Sequence, residues 1–284
     1  SVKMSDIYMD NLTANLSGGC FDSYVTNGSY HLLNTTCQSS RTLEAGNVNA
    51  DGYALGGGAG LMGSFSNATI SMVDTRWYDL CSTLVATVGF NMENGGSFLM
   101  ADSYFEQVHS IGFGGGMSIS LNGSAVATIR DVTFFNCTAL SGGGLFVSSN
   151  HSYSNVTVVD CNFTQNQADG FGGGLYASVV SGSLVIANST FSNNTAPLFD
   201  SSGLYVDFSN SLDGAFTQIA FYSSELENNL AVFKGGGNIS LAPGQIQRIN
   251  GSFVLDNTTL IRLEATTKLE IDGKFYVNGS LEVL

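Results

Sequence analysis

Phe163-Thr-Gln-Asn-Gln-Ala-Asp-Gly-Phe-Gly-Gly-Gly-Leu-Tyr-Ala177 carries an aromatic, an Asn three residues later, a triple glycine and an alternating apolar tail. Copies of this stretch organise the chain. The glycine run recurs as Gly114-Gly115-Gly116 before Met117 and Ile119, Gly142-Gly143-Gly144 before Leu145 and Val147, and Ser201-Ser202-Gly203 before Leu204 and Val206, at a spacing of about 29 residues. Gly56-Gly57-Gly58 and Gly235-Gly236-Gly237 extend the series outward, and Thr87-Val88-Gly89 is a degraded member. The aromatic marker recurs in step: Phe105 with Val108, Phe134 with Cys137, Phe191 with Asn194, Leu226 with Asn229, Tyr78 with Cys81, and Tyr8 with Asn11. Towards the C-terminus, Asn250-Gly-Ser-Phe253 and Asn278-Gly-Ser-Leu281 keep the phase without the glycines.

Internal self-similarity at such a period is the mark of a solenoid, because each unit buries its apolar side only by stacking on the next. Short alternating apolar runs between glycine turns make the unit a coil of strands. The sequence therefore predicts an all-β, right-handed parallel β-helix of about ten coils with about 29 residues in each. At about 4.8 Å per coil its length would be roughly 45 to 50 Å. Tyr8, Tyr78, Phe105, Phe134, Phe163, Phe191 and Phe253 are expected to stack inside, with the glycines where the backbone turns. Residues 1–284 read as one domain, 1–241 with the full motif and 242–284 as divergent coils of the same period. Both ends cut through the repeat, which predicts a segment of a longer chain.

The pairing of Phe-x-x-Asn with Gly-Gly-Gly-Leu tracts, from about Tyr8 to Leu241, resembles the repeats of the chlamydial polymorphic outer-membrane proteins and of related eukaryotic extracellular β-helix proteins. That resemblance implies a right-handed parallel β-helix stalk or passenger, usually an adhesin or surface component. Dense glycosylation sequons fit the eukaryotic type.

The chain has sixteen Asn-x-Ser/Thr sequons: Asn11, Asn15, Asn27, Asn34, Asn67, Asn122, Asn136, Asn150, Asn155, Asn162, Asn188, Asn193, Asn238, Asn250, Asn257 and Asn278. Random placement of its Asn among its Ser and Thr would give about five, so the excess predicts N-linked glycans on an extracellular surface. A net charge of −14 works against nucleic acid and anionic lipid as partners. No apolar run reaches the roughly 20 residues of a membrane-spanning helix. The five cysteines form no CxxC pair, which argues against zinc. Cys20 and Cys37 flank a polar stretch and are expected to form a disulfide, while Cys81 and Cys137 share a phase and read as small core residues.

Asp102, Asp131, Asp160, Asn188, Asn250 and Asn278 each stand three residues before the aromatic or its equivalent, so alternation turns them outward. Stacked carboxylates of Asp102, Asp131 and Asp160 are candidate oxygen ligands for Ca²⁺, the one ion the row would take. Against this stands the plainer reading of solvated turn residues. Parallel β-helices also carry polysaccharide lyases, but Arg130, the basic residue next to the row, is expected to point away from Asp131. His31, His109 and His151 read as surface loop residues with no nucleophile placed beside them. Gly112-Phe-Gly114 lacks the Lys-Ser/Thr of a phosphate loop and reads as a structural turn.

No catalytic residue is therefore assigned. The function expected is a structural rod in a surface, matrix, cell-wall or ciliary-hair assembly, partnered by other extracellular glycoproteins or by further coils of its own chain. An adhesin that binds glycan or protein along one face is the first alternative. A pectate-lyase-like enzyme acting on polysaccharide is the second.

Overall fold

The computed structural model describes residues 1–10, 13–14, 20–42, 60–82, 86–149, 154–180, 182–197, 203–207, 217–222 and 224–234, then 238–241, 246–255, 260–263, 268–271, 275–277 and 280–283. Among the described residues there is no helix, and the strands pair in parallel as a solenoid. The chain is a parallel β-helix.

One coil shows how the residues produce the geometry. Met117–Asn122 runs to a bend at Gly123 (φ 98°), and Ala125–Phe135 is itself bent at Asp131 (φ 54°) and ends before Asn136 (φ 52°). Thr138–Ala139 then leads through Gly142 to Gly144 into Leu145–Ser149, which lies on Met117–Asn122 and begins the next coil. Side chains alternate in and out along each segment. Met117, Ile119, Leu121, Ala125, Ala127, Ile129, Val132, Phe134, Cys137 and Ala139 point inward and are no more than 5% exposed.

Stacked coils place like residues in columns. Tyr30, Ile70, Phe98, Ala127, Val156 and Leu184 line the first face. Cys37, Trp77, Phe105, Phe134, Phe163, Phe191 and Leu226 line the second. Leu61, Val88, Met117, Leu145, Leu175 and Leu204 line the third. On the second face, rings from Trp77 to Phe191 stack at 4.7–6.1 Å with planes within 12° of parallel. This aromatic column is the centre of the core.

Three members of the expected column lie elsewhere. Trp77, not Tyr78, pairs with Phe105, and Met9, not Tyr8, pairs with Cys37. Tyr8 is 65% exposed. In an alternating strand only one of two adjacent residues faces inward, so a one-residue error of phase moves a side chain to the other face. Phe253 pairs with Ala231 and Phe275 on a different face from Phe191. Leu281 pairs with Ile261 on the first face, so the two Asn-Gly-Ser copies are not equivalent.

The coil count also differs. The solenoid has about six turns of about 29 residues rather than ten. The first-face ladder continues past them, but from Ile219 to Ile239 and from Ile261 to Leu281 a turn takes only 20 residues. The short strands around Thr138–Ala139 form a ladder of six, whose last member is Gln167–Ala168. Where the chain continues straight from Leu226 to Ala231 within Glu225–Lys234, that side of the coil is gone and the period shortens. Gly56 to Gly58 and Gly235 to Gly237 lie outside the described residues.

The glycine runs answer a contact between coils more than a bend. A Cβ on Gly115 would sit 2.2 Å from the Gly143 carbonyl oxygen, and one on Gly143 would sit 2.3 Å from that of Gly173. Successive runs thus touch backbone to backbone, where no side chain fits.

The Asn of Phe-x-x-Asn faces inward. Asn166 Oδ1 accepts the Cys137 N–H at 2.9 Å, Asn194 Oδ1 accepts the Asn166 N–H at 2.9 Å, and Asn229 Oδ1 accepts the Asn194 N–H at 3.1 Å. Each amide also donates to the carbonyl of an earlier aromatic: Asn166 to Phe134, Asn194 to Phe163 and Asn229 to Phe191. The ladder satisfies backbone groups that the nearby corner takes out of the strand pairing, which burial would otherwise make costly. A hydroxyl ladder does the same after the Asp corner, where the Cys161 N–H donates to Ser189 Oγ and the Ser189 N–H to Ser224 Oγ.

Candidate functional site

Outward chemistry is concentrated at the corners. Asp6, Asn34, Asp74, Asp102, Asp131, Asp160 and Asn188 form one column, each with φ between 45° and 57°. Ser39, Asp79, Gln107, Asn136, Gln165 and Asn193 form a second, with φ between 47° and 57°. Asn27, Asn67 and Asn94 begin a third, continued by Gly123. Left-handed backbone disfavours most side chains, and Asn and Asp tolerate it best after glycine. The acidic row predicted by the repeat is therefore a row of corner residues. A bend, not strand alternation, turns it to solvent.

Two expectations about this row are corrected. Arg130 does not point away from Asp131: its guanidinium lies 3.3 Å from that carboxylate and 4.0 Å from Asp102, because the corner swings Asp131 back towards its neighbour. All three side chains are about half exposed, so the pairs are worth little to stability. Asn250 pairs with Glu227 and so leaves the column, while Asn278 lies outside the described residues. Among the described residues no group of three or more His, Cys, Asp or Glu side chains is placed to hold a metal ion.

The sequons follow the corners. Asn27, Asn34, Asn67, Asn136, Asn188 and Asn193 all occupy left-handed corner positions, and all are exposed. Asn155 and Asn162 are exposed on strand faces, and Asn122 is half-buried at the end of the third face. Neighbouring corners bring acceptors together, for Asn67 Nδ2 donates to Asn27 Oδ1 at 2.9 Å. Asn11, Asn15, Asn150, Asn257 and Asn278 lie outside the described residues, and Asn238 and Asn250 are described in backbone alone.

A disulfide joins Cys20 and Cys37, with their Cα atoms 6.3 Å apart. Cys137 and Cys161 are buried, and desolvation pushes both thiols up to about 12, which keeps them unreactive at neutral pH. Cys81 does not share the phase of Cys137. It pairs with Arg41 and His109 in the short outward ladder and is half-exposed. His109 is in a strand rather than a loop, its Nδ1 against Thr138 Oγ1, and His31 lies in the strand Ser29–Gln38. His151 lies outside the described residues.

One feature has no counterpart among the sequence expectations. Ile111, Phe113 and Leu140 are 58%, 41% and 44% exposed at the corner that enters the third face. The signal was present as an apolar residue just before each glycine run, but apolar residues in a β-helix read by default as core.

Comparison with known protein families, with curated proteins and with solved structures finds no match.

Proposed function

We propose that this chain is part of an extracellular structural glycoprotein, a β-helical rod whose corners carry N-linked sugars and which catalyses no reaction. The observation that carries this reading is the placement of the sequons. Nine sequon asparagines have described side chains, none is buried, and six occupy bends that favour Asn for backbone reasons of their own. A bend would be served equally by Asp, as at Asp131, so the Ser or Thr two residues later is left for glycosylation to explain. Bulky sugar at a bend projects away from the strands and leaves the ladder of the coil intact.

Without desolvated carboxylates or an activated nucleophile, the outward columns offer solvation and spacing rather than chemistry. Enzymatic activity on polysaccharide finds no such group to support it. Arg130 and Asp131, the pair nearest to that chemistry, are spent on each other in solvent.

Fused to a secretion signal in a eukaryotic cell, the chain is expected in the medium, and endoglycosidase is expected to lower its mass by several glycans. A secreted chain whose mass did not change would contradict the glycoprotein reading.

A further inference from the structure

Exposed apolar residues scattered singly on a protein need no explanation, but contiguous ones do. Ile111 and Leu140 are neighbours across adjacent coils: His109 pairs with Thr138, and the Leu140 N–H donates to the Gly112 carbonyl at 2.7 Å. Phe113 bridges to Ser141 and stacks on Phe146 at 4.7 Å. The rings continue outward from Phe146 to Tyr176 at 5.2 Å, with Phe171 over Tyr205 at 4.6 Å. Further along the same face the outward positions revert to Ser120, Ser148 and Ser178. The apolar corner is thus local and continuous over successive coils.

Its electrostatic setting is one-sided. Residues 77–233 contain twelve Asp and Glu but a single Lys or Arg, Arg130, which Asp102 and Asp131 already engage. Exposed Asp169 follows Leu140 in the next coil, where the Gly170 N–H donates to the Leu140 carbonyl at 2.6 Å. A second copy of the chain would bring the same twelve carboxylates to the contact. A neutral glycan would leave them unpaired and gain little from aliphatic Ile111 and Leu140. An apolar segment carrying cations satisfies both the patch and its field.

We infer that the corner formed by Ile111, Phe113 and Leu140 is a docking surface for a cationic polypeptide segment with apolar side chains. It rests on the rod reading only in treating the Asn136 and Asn122 corners beside it as sugar-bearing. Peptides of about twelve residues, long enough to cross several coils at ~4.8 Å each, serve as probes: alternating Lys and Leu, Lys and Ser, or Glu and Leu. The secreted chain, before and after removal of its sugars, is titrated with each. The Lys/Leu peptide is expected to bind most tightly, and Ile111→Ser with Leu140→Ser to weaken it about tenfold, leaving the Lys/Ser peptide unchanged. Equal binding of Lys/Leu to the variant would overturn the inference. So would sedimentation of the unmodified chain as a dimer that the double substitution dissolves, or displacement of Lys/Leu by a neutral oligosaccharide. Binding that is identical without sugars, or in a chain that never carried them, leaves this surface standing whatever becomes of the glycoprotein reading.

Discussion

Phe163→Ala is expected to destabilise the chain by about 3–5 kcal/mol, the usual cost of truncating a buried aromatic. The ring is fully buried between Phe134 at 5.0 Å and Phe191 at 4.7 Å, with planes within 9° of parallel. Its neighbours cannot close the gap, because each is held by its own coil and coils are kept apart by backbone pairing. The loss should therefore include a cavity as well as the lost transfer of the ring from water. Phe135→Ala supplies the contrast: the adjacent ring faces outward and is only half-buried, so its removal should cost less than about 1 kcal/mol. Urea unfolding of both variants measures the difference. Equal losses would place the column somewhere other than the core.

Asn194→Ala is expected to cost about 2–4 kcal/mol, since it strips partners from buried polar groups. Asn194 is fully buried and links three coils: its Oδ1 accepts from both Nδ2 and the backbone N–H of Asn166 at 2.9 Å, and its Nδ2 donates to the Phe163 carbonyl at 2.9 Å. Asn194→Asp is the sharper variant. The oxygen that replaces Nδ2 would face the Phe163 carbonyl and Asn229 Oδ1, both acceptors, so the carboxyl must keep its proton there. Its folded pKa would rise above the unfolded value of about 3.9. Such a group is fully tolerated below that value, and stability is lost as pH rises through the folded pKa. The variant should therefore unfold more readily at pH 7 than at pH 4 relative to the parent. A loss independent of pH would mean that the side chain is not held in the buried ladder.

Much of this was legible because a β-helix repeats its constraints. Phe105, Phe134, Phe163 and Phe191 could be placed in one column since their spacing is uniform and each has one aromatic per coil. Trp77-Tyr78 could not be resolved: two adjacent aromatics fit the period equally, and only packing selects the inner one. The coil count failed for a related reason. A period seen in Asn250 and Asn278 was extrapolated through a tail whose turns shorten to 20 residues where one side of the coil is missing.

The polar columns were visible as a pattern without their cause. Phe-x-x-Asn was recognisable, yet nothing in one sequence says that the Asn turns inward to serve the N–H groups of another coil. The Asp row was likewise found, but its left-handed backbone, and hence the approach of Arg130 to Asp131, emerges only when the corner is built. The exposed Ile111, Phe113 and Leu140 were hidden by the same rule that found the core, which assigns apolar residues to the interior.

The central claim is that the corners are glycan acceptors, and site-resolved occupancy tests it most directly. The chain secreted from a eukaryotic cell is deglycosylated enzymatically in heavy-oxygen water, which marks each formerly glycosylated Asn, and its peptides are mapped by mass spectrometry. Marks are predicted at most of the exposed acceptors, Asn27, Asn34, Asn67, Asn136, Asn155, Asn162, Asn188 and Asn193. Unmarked peptides covering all of these positions would contradict the account.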